Sequence, residues 1–484
     1  MKHLEKVNYK GFIIPIIVGL IFWFTTPVRP AGVTVQAWHM LAIFLATIMG
    51  CIFKPLPIAA TTLIGYTLTI FLGLAPIKDV VVKGHTVDLS ALSAFSNSAA
   101  WLIAMAFMLS RGIIKTGLGR RIAFYFIEWF GHKSLGLGYS VAAIDLVVSP
   151  ATPSNTARAG GIVFPLVESL AENFDSKPND PSRKKMGSFL TFVEFHANLI
   201  TSMLFLTAMA PNLVAVELAK SLGVNITWIG WFEATCVPAL LALLIVPFII
   251  YKMYGPDIKE TPNAKEWASA ELKKMGKLSV PEMWMAGIFL LTLVLWMLSS
   301  SISLDATLIA FISMSLLLLT GVLSNDDFLS EKGGWNVLVW LSILVYMANR
   351  LTKFGFIKWL SETISKSVGH DNWIIVLIIL GVLLFYTHYL FASATAHNTA
   401  MYGPFLAVAL SAGAPKMAAA MFLAIFSAIM ASTTHYANGP ASVLAGSGYV
   451  EQGEWWKMNF ILGLFYIVFF IVFGLGWMKI IGLW

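Results

Sequence analysis

Ser149-Pro150-Ala151-Thr152-Pro153-Ser154-Asn155-Thr156-Ala157-Arg158-Ala159-Gly160-Gly161 is a polar, Pro/Gly-punctuated stretch set between two apolar runs, residues 141–148 and 162–170. Backbone lacking regular hydrogen bonds survives at membrane depth only where protein encloses it or it lines a cavity. The stretch therefore predicts a membrane helix broken near mid-depth over residues 149–161. A second break, over residues 393–403, contains Ser393-Ala394-Thr395-Ala396-His397-Asn398-Thr399-Ala400 and repeats the Asn-Thr-Ala core of the first. Two such breaks at corresponding places in the halves of a hydrophobic chain mark a binding site between structural repeats.

The rest of the chain calls for a membrane. Of 484 residues, 58% are hydrophobic and 12% charged, with a mean hydropathy of +0.78, too apolar for a soluble globular protein. Runs of spanning length fit residues 11–26, 37–53, 58–75, 228–250, 283–299, 307–323, 373–391 and 458–478. With the broken segments they predict an all-α polytopic membrane protein of about 11 transmembrane helices plus two re-entrant hairpins. The first run lacks a small-residue cleavage site and is expected to stay as an N-terminal helix within residues 1–35. Lys2, Lys6 and Lys10 precede it, and residues 251–282 form a Lys-rich connector. Both are expected on the cytoplasmic side of the cell membrane. The net charge of +7 reads as orientation and lipid headgroup contact, not nucleic-acid binding. Cys51 and Cys236 lie in apolar segments, so neither a disulfide framework nor a thiolate metal site is expected. Nucleotide, dinucleotide, zinc and nucleophile-elbow motifs are missing; no cofactor is expected, and no enzyme.

Further echoes divide the chain. Residues 94–115, with Ser96, Asn97 and Ser98 at the tip, and residues 333–354, opening on Trp335-Asn336, read as re-entrant hairpins. Lys115-Thr116-Gly117-Leu118-Gly119-Arg120-Arg121 and Lys353-Phe354-Gly355-Phe356-Ile357-Lys358-Trp359 follow them, each leading into an amphipathic interfacial segment. After the breaks, Thr207-Ala208-Met209-Ala210-Pro211-Asn212 is answered by Thr434-His435-Tyr436-Ala437-Asn438-Gly439-Pro440. Residues 36–250 and 283–484 are thus two repeats, and an odd number of spans in each inverts one against the other.

At a broken helix, the second segment offers free N–H groups and the positive end of its dipole, both favouring anions. Asn155 and Asn398 add amide donors; Ser154, Thr156 and Thr399 add hydroxyls. Two such ends facing each other suit a small dianion, a dicarboxylate first, with sulfate and phosphate also fitting. Arg158 and His397 lie beside the breaks and are expected to supply a fixed positive field. Arg158 has an alternative partner in Asp145 or Glu168, and His397 in backbone carbonyls. Asp145, Glu194, His196, His388 and His435 could form a proton relay or simply hydrogen-bond locally; Ser393 and Thr395 could be helix-packing glue.

Ser154-Asn155-Thr156 and His397-Asn398-Thr399, with the stretch Thr152 to Arg158, the Gly117-Leu118-Gly119-Arg120-Arg121 segment and the stretch Phe391 to His397, resemble the divalent anion/sodium symporter family over nearly the whole chain. The likeness is to its exchanger branch of bacterial citrate/succinate and tartrate/succinate antiporters and plastid oxoglutarate/malate translocators. The resemblance implies a homodimer whose protomers each carry a scaffold domain and a transport domain moving as an elevator. It implies substrate contacts from Ser154, Asn155, Thr156, Asn398 and Thr399, completed by Ser96, Asn97, Asn438 and Gly439. Where sodium-coupled members have a second Ser-Asn-Thr this chain has His397, and Arg158 is added after the first. The two are expected to compensate charge in place of sodium, giving sodium-independent exchange of succinate, malate or 2-oxoglutarate. A sodium- or proton-coupled symporter is the alternative; a channel and a membrane-embedded enzyme are remoter ones.

Overall fold

The computed structural model describes residues 7–82, 85–88, 90–368 and 372–484. Among these, seven helices are long and apolar enough to cross a membrane: Val35–Phe53, Ser98–Thr116, Ser134–Ala151, Trp228–Tyr254, Val280–Leu298, Trp373–Leu390 and Gln452–Ile480. Four shorter apolar helices join them: Tyr9–Phe24, Ile58–Phe71, Ala306–Leu319 and Lys416–Ser432. Strand is confined, among the described residues, to an antiparallel pair, Val80–Val82 with His85–Asp88, inside a segment that reads as loop.

The hairpins expected at 94–115 and 333–354 are not there. Ser98–Thr116 is one continuous helix; Asn97, the expected tip, is its N-cap, with Oδ1 accepting from the Ala100 N–H at 2.8 Å. Lys332–Lys353 is likewise unbroken, capped by Glu331. Both runs lack an internal Pro, so the polar residues at their starts satisfy the first-turn N–H groups instead of reversing the chain. Each helix ends on a left-handed glycine, Gly117 (φ +76°) and Gly355 (φ +84°), which redirects the chain into an amphipathic helix, Leu118–Phe130 or Phe356–Val368.

The reversals come one element later, at the stretches that read as breaks. Asp145 and Arg158 would lie about 20 Å apart along a continuous helix, yet their side chains meet at 3.0 Å. Thr387 and His388 likewise touch His397 at 3.1 and 2.9 Å. The chain therefore doubles back at residues 152–154 and again at 391–393. Pro150 and Pro153 remove two backbone donors at the first tip. The first return arm runs as Asn155–Arg158, a π-helical turn Ala159–Val163, and Phe164–Asn173; the second is the single helix Ala394–Ser411.

Each hairpin leads into a buried helix that breaks midway. Gly187–Leu204 is buried at every residue; it loosens through Leu206–Ala208 and restarts as Ala210–Ser221, with Pro211 in its first turn. Lys416–Ile429 similarly gives way before Gly439–Gly446, with Pro440 in its first turn. The helices pack as two bodies. Tyr9–Phe24, Val35–Phe53, Ile58–Phe71, Ser98–Thr116, Val280–Leu298, Ala306–Leu319 and Lys332–Lys353 pack mainly on one another; the hairpins, the broken helices and Trp228–Tyr254 form the second body.

Candidate anion site at the hairpin tips

Local capping sets the register of the two tips. Ser154 Oγ accepts from the Ala157 N–H at 3.1 Å, and Ser393 Oγ from the Ala396 N–H at 3.2 Å. These N-caps pair Ser154 with Ser393, Thr156 with Thr395 and Arg158 with His397. The expected pairing of Asn155 with Asn398 is one helical turn out of register. Ser393 and Thr395 are thus the site residues that the Asn-Thr-Ala echo concealed; their signal was the Ser-x-Thr-Ala pattern that the two tips share.

Ser154, Asn155, Thr156, Ser393 and Thr395 are half-buried. The side chains of Asn155, Thr156 and Thr395 have no hydrogen-bond partner among the described residues. Each tip thus combines free donors with a helix N-terminus, the arrangement that receives an anion. Asn398 and Thr399 are buried and engaged: Asn398 Nδ2 donates to the Pro211 carbonyl at 2.7 Å and Thr399 Oγ1 to the Thr395 carbonyl at 2.8 Å.

Arg158 is fully buried and all five of its N–H donors are taken. Nε donates to Asp145 Oδ1 at 3.0 Å, Nη1 to the carbonyls of Thr152 and Ala208 at 2.9 and 3.0 Å, and Nη2 to Ser202 Oγ at 2.7 Å, with Thr201 Oγ1 and the Asn198 carbonyl at 3.3 and 3.4 Å. Asp145 also accepts from Thr201 Oγ1 and from Asn198 Nδ2. The expectation of an unpaired cation facing the substrate is not met. An isolated guanidinium in this interior would cost several kcal/mol, and Asp145 on the facing arm neutralises it. Arg158 instead ties hairpin tip to helix break through two carbonyl oxygens, ligands of the kind a hard cation takes.

The second tip solves the same problem with imidazoles. His397 stacks on Phe391 at 4.2 Å, and its Nδ1 lies 2.9 Å from Nδ1 of His388. His388 Nε2 donates to the Ala437 carbonyl at 3.0 Å. Since one proton occupies the Nδ1–Nδ1 contact, the pair carries at most one positive charge. Ala208 and Ala437 occupy the same place in their breaks, three residues before Pro211 and Pro440, and each carbonyl accepts from its own hairpin.

Cross-contacts bring the halves together. A Cβ on Gly439 would lie 1.9 Å from Thr156 Oγ1, so only glycine lets the first tip close on the second break. Reciprocally, Asn398 of the second hairpin holds Pro211 of the first break. Asn438 caps Gly439–Gly446, accepting from the Ala441 N–H at 2.8 Å. Four buried polar atoms around these breaks have no partner among the described residues: Asn212 Oδ1, Asn398 Oδ1, Thr433 Oγ1 and Thr434 Oγ1.

Ser96 and Asn97 are not part of this assembly. Asn97 Nδ2 donates to Glu217 Oε2 at 2.8 Å, and Glu217 lies about 12 Å of helix beyond the first break. The relay candidates are scattered. His196 meets the Tyr466 hydroxyl at 3.0 Å, His435 accepts from Trp456 Nε1 at 3.1 Å, and both Glu194 oxygens are buried without a partner among the described residues.

Residues 6–484 match the family described as the sodium:sulfate symporter transmembrane region. The Bacillus subtilis protein YflS, named provisionally as a malate transporter, is 47% identical over 99% of this chain and 98% of its own length. Dicarboxylate transporter 1 of Arabidopsis thaliana chloroplasts is 42% identical over 98% and 84%, and the Escherichia coli citrate/succinate antiporter 35% over 99% and 99%. The crystal structure of the Alcanivorax borkumensis YdaH transporter superimposes with a TM-score of 0.57 at 13% identity, covering 87% of this chain and 98% of its own; that likeness concerns the fold. The chain is a membrane transport protein, not an enzyme, and belongs to the sodium:sulfate symporter family, the divalent anion/sodium symporters.

Proposed function

We propose that the protein is a sodium-independent exchanger of C4 and C5 dicarboxylates such as succinate, malate and 2-oxoglutarate. The observation that carries this reading is Arg158, whose guanidinium occupies the carbonyls of Thr152 and Ala208 where tip meets break. The guanidinium, its charge already balanced by Asp145, fills the place a hard cation would take between those carbonyls, so no sodium need be taken up with each substrate. Without a co-transported cation, a dianion crossing alone works with or against the membrane potential by roughly 4.6 kcal/mol per 100 mV. One-for-one exchange of dianions cancels that term. Names of the relatives, a citrate/succinate antiporter and chloroplast dicarboxylate transporters, support the substrate class.

In this reading the dianion lies between the tips, met by Ser154, Asn155 and Thr156 on one side and by Ser393 and Thr395 on the other, with Asn438 and Gly439 shaping the second break and Asn398 and Thr399 supporting it. The second helical body is the transport domain and slides as an elevator against the first, the two repeats being inverted and the protein a homodimer of the cell membrane with its N-terminus cytoplasmic. Sodium- or proton-coupled symport is the second reading, and the orphaned oxygens Asn212 Oδ1 and Asn398 Oδ1 favour it, being acceptors suited to a cation. A counterflow screen in proteoliposomes loaded with succinate tests the substrate class. Malate and 2-oxoglutarate should drive exchange and sulfate and phosphate should not; the reverse order would overturn the assignment.

A further inference from the structure

A cavity of 740 Å³ separates the two helical bodies away from the hairpin tips. Its walls include Ser96, Ser342 and Tyr346 of the first body and Glu217 and Lys220 of the second. Helix Ser98–Thr116 starts at this cavity, and a second one, lined by Arg120 and Trp267, lies just beyond its other end. The helix is about 28 Å long. The first cavity therefore belongs to one membrane face, the one bearing the strand pair Val80–Val82 and His85–Asp88.

Its chemistry favours an anion. Arg350 grips Asp88 with Nη1 at 2.6 and 2.9 Å, and Lys353 adds a second cation to the same carboxylate at 2.5 Å. Glu217 is met by the neutral Asn97 amide, while the Lys220 ammonium has no hydrogen bond or ion pair among the described residues. Three cations thus face two carboxylates. Ser342 and Tyr346, one turn apart on Lys332–Lys353, are buried lining residues whose hydroxyls have no partner among the described residues. A buried hydroxyl without an acceptor is unfavourable; the two residues, with Cβ atoms about 6 Å apart, line the same cavity as Lys220, and their hydroxyls are donors for a carboxylate-bearing ligand.

We propose that this cavity is a loading site that holds the dicarboxylate at one face before it reaches the hairpin tips. The inference rests on the dicarboxylate reading above. Helix Ala210–Ser221 links the two places, carrying Glu217 and Lys220 at one end and abutting the first break at the other. Lys220, Tyr346 and Ser342 bind the waiting anion, and movement of the second body relative to the first changes the cavity they enclose.

Two measurements test it. Exchange kinetics in vesicles of fixed orientation, with cargo presented to either face, should show Lys220→Gln and Tyr346→Phe raising KM about fivefold each at the strand-pair face alone. Unchanged KM at both faces, or equal rises at both, would overturn the loading site. Independently of transport, Asn349→Cys, in a background with Cys51 and Cys236 replaced by Ser, should react more slowly with a membrane-impermeant thiosulfonate when succinate is present, and Lys220→Gln should remove that protection. No protection by succinate, with wild-type counterflow intact, sinks the loading site and leaves the exchanger standing; absent wild-type counterflow instead defeats the exchanger reading.

Discussion

Replacing Arg158 by Ala strips five donors from a closed network at once. Asp145, buried to 0% exposure, would be left as an uncompensated charge, and breaking one partner of a buried ion pair costs about 3–5 kcal/mol. The carbonyls of Thr152 and Ala208 would each lose a donor, adding roughly 1–3 kcal/mol apiece where no water enters. Asp145→Asn should be damaging from the other side, leaving the guanidinium unpaired by about the same 3–5 kcal/mol. The double variant Arg158→Met with Asp145→Leu removes both charges and should recover most of the loss, since apolar replacements of buried pairs are often neutral. The assay is unfolding in mixed micelles titrated with sodium dodecyl sulfate, alongside succinate counterflow. The double variant should fold yet lose exchange, because nothing then bridges tip and break. Single variants within 1 kcal/mol of wild type, or a double variant that exchanges normally, would refute the role given to this pair.

Other consequences are more local. Gly439→Ala should abolish exchange in a folded protein, because its Cβ would meet Thr156 Oγ1 at 1.9 Å, and Thr156→Ala should partly restore it; normal counterflow by the single variant would show that tip and break need not close. Thr395→Val should raise the exchange KM severalfold while Thr399→Val, whose hydroxyl already serves the Thr395 carbonyl, should leave it near wild type; the opposite order would restore the Asn155 to Asn398 register. Hydrogen bonding from Lys115, with that from Ser324 and Arg111, holds Asp327 well below the usual carboxylate range against the opposing effect of burial. The stability it contributes is therefore present above the ordinary Asp pKa of about 3.9 and lost as pH falls through the depressed value. Asp327→Asn should lower stability by about 0.5–1 kcal/mol at pH 7, with the difference closing in strong acid; a deficit that persists there would place the effect elsewhere.

How far the chain could be read before its fold was seen depended on which physical signal a residue carries. Apolar length placed the spans, and the glycines at 117 and 355, with their flanking basic residues, correctly announced amphipathic helices, although the continuous helices before them had read as hairpins. Ser154-Asn155-Thr156 stood out because polar residues between prolines have no bland place in hydrocarbon. Direction was invisible: a broken helix and a hairpin tip share the same composition, and only the meeting of Asp145 with Arg158 shows that the chain turns back. Register was misled by identical Asn-Thr-Ala letters, whereas the fold obeys the capping serines. The pairing of Arg158 was legible as an alternative, since Asp145 lies in the preceding apolar run; choosing it required the geometry of the tip. The His388–His397 contact joins residues on opposite arms, which spacing alone does not reveal.

The central claim, that a guanidinium of the chain stands where a sodium ion would bind and that dianion is traded for dianion, is tested most directly by uptake of labelled succinate into proteoliposomes in sodium-free medium, with unlabelled succinate inside or omitted. Rapid uptake into loaded vesicles, unaffected when sodium is added, and little uptake into empty ones is the predicted result. Uptake into empty vesicles that rises with an inward sodium gradient would contradict it.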